Sequence, residues 1–153
     1  MFKIVVDADS CPVKAEVLRV AERYHVPVTL VANQPGRMAK QDWILEVVVA
    51  AHLDAADDWI VENLGENDIV ISADIPLAAR CLKKGGRVLG PKGGIFTEKS
   101  IGTALATRDL MTHLRGIGLP TDGTAPFDKR DRSRFLQALD KLVQDTLRGK
   151  IER

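Results

Sequence analysis

Five short apolar runs, rich in Val, Ile and Leu, constrain this chain more than any other feature. They cover residues 2–6, 27–31, 44–50, 68–72 and 87–89. Runs of this length, bounded by Asp, Asn, Gly or Pro, read as buried strands. Helical periodicity fills most of the intervals. Val13, Val17, Leu18, Val20, Ala21 and Tyr24 recur at helical spacing behind Pro12, a residue suited to a first helical turn. Residues 53–64 form a second helical pattern stopped by Gly65, and residues 75–84 a third closed by Gly85-Gly86. Thr97 can cap a fourth, running to about residue 115. Phe135, Leu136, Leu139, Leu142, Val143 and Leu147 share one face of a fifth, which should dock on the rest. The stretch 33–43 has the length of a crossover but little helical signal.

Strands alternating with helices imply a three-layer, doubly wound α/β fold with a mostly parallel sheet of about five strands. At 153 residues the chain fits a single domain. Its expected parts are a core at 1–115, an irregular Gly/Pro/Thr-rich linker at 116–127 and a C-terminal helix at 128–148. Hydrophobic residues at 45% and charged residues at 28% exclude wholesale disorder. The formal charge of +1 means that attraction to a polyanion must come from local patches. Cys11 and Cys81 have no Cys or His neighbours at zinc-ligand spacing. With no signal-like leader and no apolar run near 20 residues, the expectation is a cytoplasmic protein with free thiols and no membrane contact.

In open α/β sheets, chemistry gathers beyond the carboxyl ends of the strands. Asp7 and Asp9 follow the first run, Asp54 and Asp57 the third, and Asp74 the fourth. Five carboxylates thus fall on one expected edge. Packed together they repel unless a cation or a shared proton intervenes. An all-oxygen set suits Mg²⁺ or Mn²⁺. On a helical wheel Asp57 lies within or beside the stripe of Leu53, Ala56, Ile60 and Leu64, whereas Asp58 points away. Each Asp alone also suits a helix cap: Asp9 (or Ser10) for the first helix, Asp54 with Asp57 for the second, Asp74 before Pro76 for the third.

The run Val6-Asp7-Ala8-Asp9-Ser10-Cys11-Pro12-Val13 resembles the opening motif of the uncharacterised YaiI/YqxD family. So do Val28-Thr29-Leu30-Val31-Ala32-Asn33-Gln34 and Asp54-Ala55-Ala56-Asp57. Val70-Ile71-Ser72-Ala73-Asp74-Ile75-Pro76-Leu77-Ala78 resembles a further block, and Arg130-Asp131-Arg132 with Phe135 the C-terminal one. The resemblance spans nearly the whole chain, with Ser10 where the family commonly has Ala and Ser72 where it commonly has Thr. It implies a PIN-like fold of strand order 3-2-1-4-5 and, by analogy, nuclease chemistry. Under that resemblance Asp7, Asp57 and Asp74 hold Mg²⁺ or Mn²⁺, with Asp54 as a further ligand and Asp9 as an added ligand or water-positioning group.

Hydrolysis of a phosphodiester, RNA first among substrates, is therefore the expected activity. Candidate substrate contacts are Asn33 and Arg37 after the second strand, Ser72 after the fourth, Lys92 in a Gly-rich loop, Arg108, and Arg130 leading the last helix. Two other readings fit parts of the pattern. Asp7 and Asp9 resemble the nucleophile and acid of a haloacid-dehalogenase phosphatase. Asp7, Asp9, Asp54, Ser72 and Lys92 also make a passable receiver pattern, and a PIN domain that binds RNA without turnover is the further non-catalytic form. His25, His52 and His113 are isolated, and Cys11, Trp43 and Trp59 read as packing residues.

Overall fold

The computed structural model describes residues 2–36, 41–52, 54–116 and 127–149, with the side chains of Ser10 and of 108–116 outside that description. The expected linker is therefore largely outside it. A six-stranded sheet of order β3-β2-β1-β4-β5-β6 forms the centre. Its strands are β1 Ile4–Asp7, β2 Val28–Ala32, β3 Ile44–Val48, β4 Ile69–Ile71, β5 Arg87–Leu89 and β6 Ile95–Phe96. The first five are parallel, in the order that the PIN-like resemblance implies. The sixth, antiparallel to β5, was not expected. It is two residues long and directly follows a Gly-rich loop, so it has no alternation to read.

The helices are α1 Lys14–Tyr24, α2 Ala55–Asn63, α3 Ile75–Lys83, α4 Glu98–Gly116 and α5 Lys129–Leu147. Strand parity sorts the core into two layers. Ile4, Val6, Val28, Leu30, Ile69, Ile71 and Leu89 pack with Val17 and Ala21 of α1 and Phe135 and Leu139 of α5. Val5, Val31, Val70 and Val88 face the other way, onto Ile60 of α2 and Leu77, Ala78 and Cys81 of α3. No crossover helix is seen between β2 and β3 in the described residues, 33–34 being bend, 42–43 turn, and 35–36 and 41 without regular structure.

Helix ends follow their caps. Asp74 Oδ1 accepts the Leu77 N–H at 3.0 Å, with Pro76 in the first turn of α3. Asp128 and Asp131 form a reciprocal capping box at α5. Thr97 Oγ1 accepts the Ser100 N–H at 3.1 Å at the head of α4. The expected side-chain cap on α1 is absent. A 3-10 turn at Ala8–Ser10 intervenes, and Val13 occupies the cap position. Among the described residues no helix is long and apolar enough to cross a membrane.

At the amino-terminal edge of the sheet, Asp68 is 3% exposed and fully engaged. Its carboxylate accepts the Lys3 N–H at 3.0 Å, the Lys3 ammonium at 2.6 Å and the Gly65 N–H at 2.7 Å. It thereby ties the start of β1 to the start of β4. Removing one member of so buried a network strands the others. Asp68→Ala should lower unfolding free energy by about 3 kcal/mol in urea titration, against less than about 1 kcal/mol for breaking the exposed Arg80–Asp58 pair with Asp58→Ala.

Candidate metal centre

The chain leaves β1 at Asp7 and β4 at Ile71, neighbours in register through Val6↔Ile71. This is the switch point of the doubly wound sheet, where successive connections turn to opposite sides. Register then sets Asp7 beside Ser72. The buried Ser72 hydroxyl donates to Asp7 Oδ2 at 3.2 Å and accepts the Asp74 N–H at 3.0 Å. One hydroxyl thus fixes the spacing of two acidic loops.

Asp57 comes from a third direction, the first turn of α2, half-buried beside Ala56 and Ile60. Asp58 is exposed and pairs with Arg80 at 3.0 Å. The wheel separates these two neighbours correctly. Asp54 precedes α2 with φ of 69°, a left-handed conformation that Asp tolerates, and its side chain accepts no capping bond. The near capping box expected of Asp54 and Asp57 is therefore not formed.

Electrostatics ties the group together. Burial pushes the Asp57 carboxyl up to about 6, and the charges of Asp74, Asp7 and Asp54 push it the same way against Arg80. Burial also raises Asp7, opposed by the Ser72 hydrogen bond and reinforced by Asp74 and Asp9. Carboxylates from β1, β4 and the head of α2 therefore share one field.

They do not, as they stand, form a closed ligand set. Among the described residues no three His, Cys, Asp or Glu side chains are grouped so as to hold an ion. Asp74 has one oxygen on its own helix cap, and Asp9 Oδ2 accepts the Asn33 N–H at 2.8 Å. Cap and site are thus both roles of Asp74. Asp9 is turned towards β2.

The other candidates are scattered. Asn33 meets Asp9 through its backbone, and its side chain is exposed. Lys92 lies in the loop between β5 and β6, and Arg130 is exposed on the first turn of α5. Arg37 and the side chain of Arg108 lie outside the described residues. Burial pushes the Cys11 thiol up, the opposite of an activated thiolate, and Cys81 up to about 12. Trp43 and Trp59 pack against the two core layers, and His25 is an exposed left-handed residue ending α1. Two residues near the site escaped the sequence reading, Lys14 and Glu46. Glu46 had a signal, the single charge within an otherwise apolar strand.

A model of the uncharacterised YaiI/YqxD family matches residues 5–145. A UPF0178 protein of Rhodospirillum rubrum is 51% identical over 150 residues, covering 97% of this chain and all of that protein. One from Azorhizobium caulinodans is 54% identical over 140 residues, 92% of this chain and 88% of the relative. Another, from Rhodospirillum centenum, is 51% identical over 154 residues, 98% and 100% of the two chains. No solved structure gives a significant match.

Asp57 carries a stability consequence. Below its unfolded value of 3.8 the carboxyl is protonated in both folded and unfolded chains and costs nothing. Between there and about 6 the unfolded chain loses its proton first, so stability falls as pH rises, and the loss is complete above that value. Asp57→Asn should therefore gain about 1 kcal/mol at pH 7.5, after allowance for solvent screening. The gain should vanish at pH 3.5. Parallel denaturant titrations at the two pH values measure it, and equal effects at both would remove the electrostatic account.

Proposed function

The chain belongs to the uncharacterised YaiI/YqxD family, and from its acidic edge we propose that it is a divalent-metal-dependent phosphodiesterase of nuclease type acting on RNA. The observation that carries this reading is the approach of Asp7, Asp57 and Asp74 from three separate elements, near enough that the charge of Asp74 raises both Asp7 and Asp57. Natural folds remove such repulsion with a basic partner, as Asp68 does with Lys3. Among the described residues no basic side chain is ion-paired with Asp7, Asp57 or Asp74.

The donor chemistry fits a hard cation. Asp7, Asp57 and Asp74 offer oxygen alone, which suits Mg²⁺ or Mn²⁺, with Asp54 as a further carboxylate whose charge acts on Asp57. Side-chain rotation is needed to close the set, and rotation of the half-buried Asp57 is the natural route. A divalent ion held there supplies an acidified water and charge neutralisation at phosphorus.

The rest is the work of the chain's own residues. Ser72 holds Asp7 in one orientation and braces the Asp74 backbone. Asp74 gives one oxygen to its helix and keeps the other for the site. Asp57 carries its proton below about pH 6 and is a base above it. Cation affinity and turnover both rise through that range as the full negative charge develops. Lys92 and Arg130, with Arg37 and Arg108 known from sequence, are the candidate phosphate contacts. The enclosed geometry of Ser72 also serves a phosphatase, but no basic side chain is hydrogen-bonded to Asp7 or Asp9 among the described residues.

At pH 7.5, Mn²⁺ at about 100 times its dissociation constant should add about 2.7 kcal/mol of stability. It should also support cleavage of single-stranded RNA. Asp7→Asn should lose both, with cleavage falling about 10²-fold or more. Calorimetric melting and gel analysis of labelled RNA read the two effects. A wild-type protein indifferent to Mn²⁺, with RNA left intact, would end the proposal.

A further inference from the structure

Beside the acidic edge lies a cavity of about 240 Å³, between the 3-10 turn after β1 and the carboxyl ends of β2 and β3. Its apolar walls are Ala8, Leu30, Ala32 and Pro35; Gln34, Gly36 and three charged residues, Asp9, Lys14 and Glu46, complete it. The space equals roughly eight waters' share of liquid volume, room for one flat ring system.

Each carboxylate belongs to an exposed residue and is held by one backbone N–H. Asp9 Oδ2 accepts the Asn33 N–H at 2.8 Å, and Glu46 Oε1 accepts the Gly36 N–H. Each acid keeps a second oxygen to which no described residue donates. Neither Asp9 nor Glu46 forms an ion pair with Lys14. The cavity is therefore an apolar slot with two carboxylate acceptors, the Gln34 amide and a cation from the first turn of α1. Asp9 stands two residues after Asp7, so the cavity adjoins the candidate metal centre along the chain.

Ionised carboxylates accept hydrogen bonds and donate none. A partner that satisfies both must present two donors on one edge while offering apolar faces to the walls. Single-stranded RNA offers such edges once its bases are splayed out. Guanine presents adjacent N1–H and N2–H groups; uracil presents one N–H between two carbonyls, which two carboxylates repel. We propose that this pocket, on the nuclease reading above, takes one base of the RNA substrate and selects guanine over uracil through Asp9 and Glu46. Lys14 meets the phosphate attached to that nucleotide, as basic side chains position nucleic acid without reading it.

Titration calorimetry with GMP and UMP, in EDTA so that no metal contributes, tests the pocket. GMP should bind about tenfold more tightly than UMP. Glu46→Gln keeps a carbonyl for the Gly36 N–H and turns an amide donor into the pocket. It should weaken GMP about tenfold and strengthen UMP. Lys14→Ala should weaken both nucleotides alike and leave guanosine unchanged. Should Glu46→Gln fail to fold, guanosine against uridine on the wild-type protein makes the same comparison. Equal affinity for the two bases, or a preference untouched by Glu46→Gln, overturns the inference. A guanine preference in EDTA without any Mn²⁺ effect supports the pocket and sinks the nuclease reading. Mn²⁺-dependent cleavage indifferent to base does the reverse.

Discussion

The parallel pairing of β1 with β4 is the constraint on which the site depends. β1 is central, and Ile4, Val5 and Val6 are at most 1% exposed. Each such side chain is worth roughly 1.5–3 kcal/mol of burial, so the register is firmly held. A slip of one residue would turn Val6 and Ile71 to the wrong layer. Because those two stand opposite, the next positions must also meet. The bond from Ser72 to Asp7 is a consequence of register before it is a feature of chemistry. The apolar strands thus hold a carboxylate where burial and neighbouring charge both disfavour its ionised form.

The two ends of the sheet treat the same residue type in opposite ways. At the amino-terminal edge Asp68 receives an ammonium and two backbone N–H groups and is neutralised. At the carboxyl-terminal edge Asp57 has Asp7, Asp54 and Asp74 around it, while the nearby Arg80 is hydrogen-bonded to Asp58 instead. A fold selected for stability alone would gain from turning Arg80 one residue back. Leaving the repulsion in place costs stability at neutral pH.

Much of this was legible in the residues because the informative signals are local. Asp7 and Asp74 follow apolar runs, and the helical wheel separates Asp57 from Asp58 without coordinates. What was illegible required contacts between remote segments. Asp9 reads as a ligand or a cap, yet its hydrogen bond goes to the backbone of Asn33, 24 residues on. The cavity between β1 and β3 exists because β2 brings Glu46 and the 33–36 turn to the same side, which no spacing encodes. β6 escaped because its pairing with β5, rather than its composition, makes it a strand. The C-terminal block was visible as a motif, but its meaning was not. Asp131 is a buried capping residue, and Arg132 is a clamp.

That clamp joins the last helix to the acidic edge. The Arg132 guanidinium reaches the Pro12 carbonyl at 3.1 Å and Glu16 at 2.9 Å, and lies 4.9 Å over the Phe127 ring. It thereby holds the segment that follows Asp7 and Asp9. The same helix braces the loop after β5. Gly93 has φ of 92°, and a side chain there would come within 2.9 Å of the Arg134 backbone. Pro91 of that loop stands with Asp7, Cys11 and Ser72 around one small recess. So α5 presses on both loops that flank Asp7, although it contributes no carboxylate to the centre. Phe135, Leu139 and Val143 of its amphipathic face are buried against the sheet, so loss of that face would expose the sheet and free the loops together. The last helix is therefore part of the site's geometry through packing, which accounts for a motif there that carries no reactive group.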